Sequence, residues 1–271
     1  ALALLLTVGV APSASAAIPA PPRKSLPVAL DARTGYQPQV SCDPRAKPGV
    51  TAFAALMKAT YKTGATGTYR TCRGNTSEHY ESRALDWMLS TSNPRQKAIS
   101  KSVTTWLSAN NGAMARRFGI SYMIWNRKIW GSYAPERGWA AYRGADPHTS
   151  HIHFSFSWDG AMKRTSWWTG KATTVADQGP CRVYRGQFAP LHSGIRTGPC
   201  PSLRTAPSSM YRVAVFGQTS AQIKVAQRRL GVSADGHFGG PTFRKLVAWQ
   251  KNRVPVTGVL DKATWRRLTG K

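Results

Sequence analysis

Hydrophobic residues change their spacing along the chain, and these changes predict where helices and strands lie. Apolar residues recur at helical spacing over residues 49–64. Asn93 followed by Pro94 is a typical N-cap and first-turn pair, which predicts a helix that continues to about Asn110. Residues 120–130 are rich in β-branched and aromatic side chains and predict a strand.

Strict alternation of polar and apolar residues marks one further strand, at 151–157. A strand places alternate side chains on opposite faces, so this pattern predicts a half-buried strand. The polar face would carry His151, His153 and Ser155, and the apolar face Ile152, Phe154 and Phe156. The polar face would therefore present two imidazoles side by side.

The end of the chain, residues 211–271, has the pattern of three short helices. Ser220 would cap a helix to Leu230, Pro241 would open a second to about Asn252, and Asp261 would cap a third that ends near Gly270. A short internal repeat supports this reading: Thr242, Phe243 and Leu246 recur 22 residues later as Thr264, Trp265 and Leu268.

Two segments lack periodicity and separate these units. Residues 17–48 are rich in proline and read as a tether or irregular arm, and residues 170–210 read as a linker rich in Gly, Pro, Ser, Thr and Arg. The expected fold is α+β: a small antiparallel sheet with flanking helices over 49–169, followed by an all-α three-helix domain over 211–271.

The first residues predict export. The apolar run Ala1–Val10 is too short to span a membrane, and Ala14-Ser15-Ala16 fits the small-residue pattern of a signal-peptide cleavage site. We therefore expect residues 1–16 to be part of a signal peptide and the protein to be secreted, extracellular or associated with the cell wall, without a transmembrane segment.

The four cysteines agree with an oxidising compartment. An even number of cysteines in an exported protein indicates disulfide bonds, and four cysteines allow three pairings. The local pairing joins Cys42 to Cys72 and Cys181 to Cys200, each within one segment. The second of these bonds would clamp the linker.

The charge of the chain indicates an anionic partner. There are 38 Lys and Arg against 11 Asp and Glu, a formal net charge of +27. Nucleic acid, an anionic cell-wall polymer and an anionic membrane surface would all suit such a charge, and charge alone does not choose between them. No recognition helix with clustered arginines is visible, so we expect no specific nucleic-acid partner.

Histidines and one aspartate suggest a metal site. His79 and Asp86 lie seven residues apart, and the strand at 151–157 adds two histidines on one face. Two imidazoles and one carboxylate are ligands that zinc accepts, leaving a fourth position for a water whose pKa the ion lowers. A His-x-His strand also occurs in proteins that bind no metal there, so the cluster is a hypothesis.

The segment SEHYESRALD resembles the Ser-x-His-x-x-Gly-x-Ala-x-Asp motif of zinc D-Ala-D-Ala carboxypeptidases and endopeptidases (VanY-like and hedgehog-like). Ser82 replaces the glycine of the motif. The resemblance covers residues 50–158 and implies zinc ligands His79, Asp86 and His153. GTYRTC resembles a family segment whose arginine contacts the substrate carboxylate, which implies that role for Arg70.

The general base expected in many members of this family has no counterpart at its usual position, because no glutamate lies just before the last metal histidine. The base would then be His151, His148 or Asp146, in falling order of preference. A neutral imidazole has a pKa suited to this task.

The last segment resembles the three-helix peptidoglycan-binding domain of cell-wall hydrolases. Matching residues are Ala226, Gln227, Leu230, Asp235, Gly236, Phe238, Gly239, Thr242, Val247, Gln250, Gly258, Asp261, Thr264 and Leu268. Together the two resemblances imply a secreted, zinc-dependent peptidase that acts on peptidoglycan. We expect it to be a monomer, and its net charge indicates that it also binds anionic wall polymers. The alternatives are a non-catalytic wall-binding protein with a degenerate metal site, and a DNA-binding protein or nuclease.

Overall fold

The computed structural model describes residues 17–72, 76–186, 188–205 and 212–271. These residues form a mixed α+β domain around one antiparallel sheet, followed by a helical C-terminal domain. The predicted signal peptide at 1–16 lies outside the described residues. Within the described part of the chain, none of the helices is both long and apolar enough to cross a bilayer.

Over its described residues, the α+β domain contains four helices and six strands. The helices are α1 (Pro48–Tyr61), α2 (Pro94–Phe118), α3 (Trp158–Ala161) and α4 (Ser166–Thr169), with 3₁₀ turns at Glu78–Glu81 and Pro135–Arg137. The strands are β1 (Thr66–Gly67), β2 (Ala84–Trp87), β3 (Ile120–Trp125), β4 (Lys128–Gly131), β5 (Ala140–Ala141) and β6 (Ile152–Phe156).

The sheet has the order β1-β2-β6-β3-β4-β5, and all of its neighbouring strands are antiparallel. The predicted strand at 151–157 is therefore a central strand, paired with β2 on one side and β3 on the other. All five residues of β6 are buried, so the expectation of a half-buried strand is wrong. Its polar face is buried because His153 and Ser155 contact the turn that carries His79 and Glu78, at the candidate site.

The core lies between the apolar face of this sheet and the helices. Proline at the first turn begins α1 and Lys62, in the left-handed region, ends it. Phe53 of α1 reaches the sheet, and its ring lies 5.0–5.6 Å from those of Phe118, Phe154 and Phe156. These edge-to-face contacts fix α1 against β6.

Helix α2 begins as predicted, because the side chain of Asn93 accepts a hydrogen bond from the backbone N–H of Gln96. The helical conformation is interrupted at Ala109–Gly112 and resumes to Phe118, so the predicted end near Asn110 falls at this interruption. Gly112 has a φ of +73°, and a Cβ there would lie 2.4 Å from the ring of Trp130. Only glycine fits at this approach.

The predicted strand at 120–130 is in fact a β-hairpin. β3 and β4 are joined by Asn126 and Arg127, whose φ angles are +47° and +63°. Two consecutive left-handed residues make the tight turn that suits a two-residue hairpin, and asparagine tolerates this conformation well. The prediction of one continuous strand is therefore wrong.

The N-terminal arm, which in the structure is residues 17–47, forms no helix or strand, yet it packs on the α+β domain and is not a tether. Ile18 and Leu26 pack against the core. The buried carboxylate of Asp31 accepts hydrogen bonds from Ser166 and Thr173. The arm is packed and not free because these groups are buried against the domain, whereas a tether would leave them in water.

A pair of buried charges holds the end of this arm. Glu81 accepts hydrogen bonds from the backbone N–H groups of Val40 and Ser41, at 3.0 and 2.8 Å. Arg83 pairs with the same carboxylate at 2.6 Å and donates to the carbonyl oxygen of Gln37. Both charged side chains are fully buried and fully engaged, as buried ion pairs require.

The predicted linker is irregular but ordered around Asp177. This buried carboxylate accepts hydrogen bonds from Arg164 and His192, and from the backbone N–H groups of Gly179 and Arg196. The local disulfide pairing is present, with Cys42 joined to Cys72 and Cys181 to Cys200.

The C-terminal domain has its own hydrophobic core and three helices, α5 (Ala221–Leu230), α6 (Gly240–Gln250) and α7 (Lys262–Thr269). In addition, β7 (Arg212–Ala214) and β8 (Leu260–Asp261) form a two-stranded sheet. Ser220 and Asp261 cap α5 and α7 as predicted.

The internal repeat has a structural cause in two buried glutamines. Gln227 donates to Thr242 Oγ1 and accepts from the N–H of Gly236, while Gln250 donates to Thr264 Oγ1 and accepts from that of Gly258. Each glutamine ties the loop that follows its own helix to the start of the next helix.

Candidate metal centre

Three elements bring the predicted metal ligands together. His79 lies in the 3₁₀ turn Glu78–Glu81, while Asp86 on β2 pairs directly with His153 on β6. The turn ends at Ser82, which replaces the glycine of the motif and adopts the left-handed conformation with φ +53°. The serine hydroxyl donates to the carbonyl oxygen of Asp43, which supports a conformation that glycine would adopt more readily.

The ligand atoms of these residues form a compact triangle. His79 Nε2 lies 3.2 Å from Asp86 Oδ1 and 3.3 Å from His153 Nδ1, and His153 Nδ1 lies 2.9 Å from Asp86 Oδ1. Ligands 2.0–2.1 Å from a tetrahedral zinc ion lie about 3.3 Å from one another. The triangle therefore has the size and the donor chemistry of a zinc site, and all three side chains are buried.

In each of the two histidines, the ring nitrogen outside the triangle, here called the outer nitrogen, also has a hydrogen-bond partner. His79 Nδ1 lies 2.7 Å from the carbonyl oxygen of Thr68, and His153 Nε2 lies 3.0 Å from Ser155 Oγ. A carbonyl can only accept, so His79 carries its proton on Nδ1 and presents a bare Nε2 to the triangle. Such outer contacts orient the ligands of a metal site.

The carboxylate of Asp86 is kept ionised. Burial alone would raise the pKa of Asp86, but the adjacent imidazoles of His153 and His79 outweigh burial and hold it well below its usual range. Arg70 Nη2 lies 2.5 Å from Asp86 Oδ2. Arg70 thus pairs with the oxygen that does not belong to the triangle, and about half of its side chain stays exposed.

An open cavity of about 220 Å³ lies over the triangle. Its lining residues are Tyr36, Arg70, Thr76, Ser77, Glu78, His79, Tyr122, Ile124, Tyr142, Asp146, His148 and His153. The arm therefore contributes a side chain to the site, through Tyr36. Sequence patterning gave no signal for this, because the arm lacks periodicity.

The three candidate bases lie beside the triangle in different settings. His151 Nε2 is buried, has no hydrogen-bond partner among the described residues and lies 3.5 Å from Asp86 Oδ1. His148 lines the cavity, with its Nδ1 2.7 Å from the carbonyl oxygen of Asp146. The Asp146 side chain is half exposed.

Burial and the neighbouring His153 lower the pKa of His148, so its imidazole is neutral at pH 7. It also has a φ of +51°, an uncommon conformation for histidine.

Glu78 is a buried carboxylate that sequence patterning missed, because it lies between Ser77 and His79, at a position where the family motif accepts any residue. It accepts hydrogen bonds from Tyr36 and Tyr122, at 2.9 and 2.6 Å. Burial would raise the pKa of Glu78, but the charge of Arg83 and these hydrogen bonds lower it overall. Glu78 is therefore ionised at neutral pH.

Two protein families match parts of the chain. Residues 42–153 match the family described as VldE, C-terminal domain, and this region includes the whole triangle. Residues 228–268 match the family described as putative peptidoglycan binding domain. No significant similarity was found to curated proteins or to solved structures.

The second match supports peptidoglycan as a partner and association with the cell wall. The two disulfides are consistent with an extracellular location.

Proposed function

We propose that this protein is an exported, zinc-dependent peptidase that is held on the cell wall and cleaves stem or cross-bridge peptides of peptidoglycan. The triangle of His79, Asp86 and His153 carries the proposal, because its spacing and donor set suit zinc and an open cavity lies above it. The match to a peptidoglycan-binding domain supports peptidoglycan as the substrate.

Zinc held by these three side chains would acidify a water and polarise a carbonyl group, which is the chemistry that hydrolysis of a peptide bond requires. The neutral imidazole of His148 faces the cavity and would take up a proton and deliver it to the leaving amine. The structure leads us to prefer His148 to His151 for this task, because His151 Nε2 is enclosed beside Asp86. Asp146 would orient His148.

Arg70 would bind a carboxylate or carbonyl of the substrate. Its guanidinium is anchored on Asp86 and still exposes about half of the side chain at the cavity. A planar guanidinium offers several donors in a fixed arrangement, so one edge stays available when another is paired.

The C-terminal domain would hold the enzyme at its substrate. Phe216 contacts Tyr69 at 5.3 Å between ring centroids, and Val215 and Val259 pack with the Cys42–Cys72 disulfide. The wall-binding domain thus packs beside the loop that carries Arg70. The net charge of +27 would add attraction to anionic wall polymers.

A second candidate function is a non-catalytic wall-binding protein that retains a metal. The observation in its favour is that, among the described residues, the carboxylates lining the cavity are those of Glu78, which is engaged by two tyrosines, and of Asp146, whose Oδ1 accepts a hydrogen bond from the backbone N–H of His148. Neither is placed as a free general base.

Digestion of purified peptidoglycan by the zinc-loaded protein tests the proposal, with the fragments identified by mass spectrometry and His153→Ala as the matched control. New peptide termini with the wild type alone would support the peptidase and identify the bond. Pelleting with the wall without new termini would overturn the peptidase and leave the wall-binding protein.

A further inference from the structure

We propose that Glu78, acting through Ser155, is a positioning residue that keeps the proton of His153 on Nε2, so that Nδ1 is directed bare toward the metal. The inference rests on the proposed metal centre and adds two residues to it. A continuous chain of contacts connects them: Glu78 Oε2 lies 3.4 Å from Ser155 Oγ, and Ser155 Oγ lies 3.0 Å from His153 Nε2.

The two ligand histidines differ in what holds their outer nitrogen. For His79 the partner is the backbone carbonyl of Thr68, which can only accept a hydrogen bond and so fixes the proton by itself. For His153 the partner is a serine hydroxyl, which can either donate or accept. Ser155 alone would leave the position of the His153 proton undecided, and Asp86 Oδ1, 2.9 Å from Nδ1, would draw it to the wrong nitrogen.

Glu78 removes this ambiguity. Its carboxylate oxygens accept hydrogen bonds from the hydroxyl groups of Tyr36, Tyr122 and Ser155. The Ser155 hydroxyl donates to Glu78 Oε2, so its proton points away from His153 and its oxygen accepts from His153 Nε2–H.

Burial makes the chain of contacts effective. Ser155 is fully buried, and Glu78 and His153 are only 4% and 6% exposed. Water therefore does not compete for these hydrogen bonds, and an unpartnered group here would be costly.

Zinc affinity measured by competition with a chromogenic chelator tests this role in the full chain. Glu78→Gln keeps the shape but adds an amide donor toward Ser155, which turns the hydroxyl proton toward His153 and the imidazole proton onto Nδ1. Ser155→Ala removes the connection. We expect each variant to weaken zinc binding about 10- to 100-fold, the usual effect of losing such an outer contact.

The double variant separates this role from a merely structural one. When two substitutions interrupt the same chain of contacts, their losses of zinc affinity should not add. The double variant should therefore bind zinc about as tightly as whichever single variant has the lower affinity. Glu136→Gln, the same change at an exposed glutamate, should bind like the wild type.

Unchanged affinity in both single variants, or losses that multiply in the double variant, would overturn the positioning role while leaving the metal centre intact. A wild-type protein that binds no zinc would overturn the metal centre and this role together.

Discussion

Gln250→Leu should destabilise the C-terminal domain, because this glutamine is fully buried and satisfies backbone groups of the following loop. Its side chain accepts from the N–H of Gly258 at 3.0 Å and donates to the carbonyl oxygen of Val259 at 3.0 Å. Leucine has a similar size and favours helices, so the change removes hydrogen bonds with little loss of packing.

The expected cost follows from the backbone N–H groups of Thr257 and Gly258, which lose their acceptor, whereas the carbonyl oxygen of Val259 keeps its contact with Thr257 Oγ1. Each buried group that loses its hydrogen bond costs about 1–3 kcal/mol, so the substitution should cost about 2–6 kcal/mol. A unit of this size has a stability of about 3–9 kcal/mol at the usual 0.05–0.15 kcal/mol per residue. The change therefore removes much of the stability of the domain, and binding to the wall should fall with it.

Hydrogen exchange measured by mass spectrometry on the full chain reports the opening of the C-terminal domain separately from that of the α+β domain. A loss of about 3 kcal/mol corresponds to about a 100-fold faster exchange in α5, α6 and α7 through domain opening. Gln222→Leu, the same change at an exposed position of α5, is the matched control and should exchange like the wild type. Exchange within about threefold of the wild type in Gln250→Leu would refute the reasoning.

Three further predictions concern the α+β domain and the linker. Arg83→Met leaves the buried carboxylate of Glu81 unpaired and should cost about 3–5 kcal/mol; a melting temperature within 2 °C of the wild type would contradict this. Replacing Cys42 and Cys72 by serine should cost about 3–4 kcal/mol in urea unfolding, since the bond closes a loop of 30 residues; unchanged stability would count against it. Burial would raise the pKa of Asp177, but hydrogen bonds from its partners lower it, so its contribution is complete above about pH 4 and is lost as the pH falls. Asp177→Asn should therefore melt lower at pH 7 and lose less stability than the wild type between pH 4 and pH 2, whereas parallel pH profiles would exclude this role.

The elements that could be predicted from the sequence are those with a local cause. The N-cap at Asn93 and the caps of the C-terminal helices depend on a side chain and a backbone group only three residues apart. The two strands of the hairpin were harder to predict as separate strands. The left-handed turn at Asn126 and Arg127 divides the hydrophobic run, but it contains no glycine or proline that would mark a turn.

Features with a distant cause could not be predicted. β6 alternates like a half-buried strand, yet its polar face is covered by the turn that carries Glu78 and His79. The arm has the composition of a tether, but Glu81 and Arg83, more than 35 residues later in the chain, hold its backbone in place.

For the candidate site, the motif identified His79, Asp86 and His153, and the structure brings their ligand atoms together. The motif did not identify Glu78, because its partners Tyr36, Tyr122 and Ser155 come from three distant segments. Only the fold shows that this residue lies behind one of the ligands.

Restoration of activity by zinc tests the central claim most directly. The protein would be stripped with a chelator and then titrated with Zn²⁺, while the release of new peptide termini from peptidoglycan is measured. The account predicts no release from the stripped wild type, full release at about one Zn²⁺ per chain, and none at any zinc concentration from Asp86→Ala. Equal release by the stripped protein, or by Asp86→Ala, would contradict a zinc-dependent peptidase at this triangle.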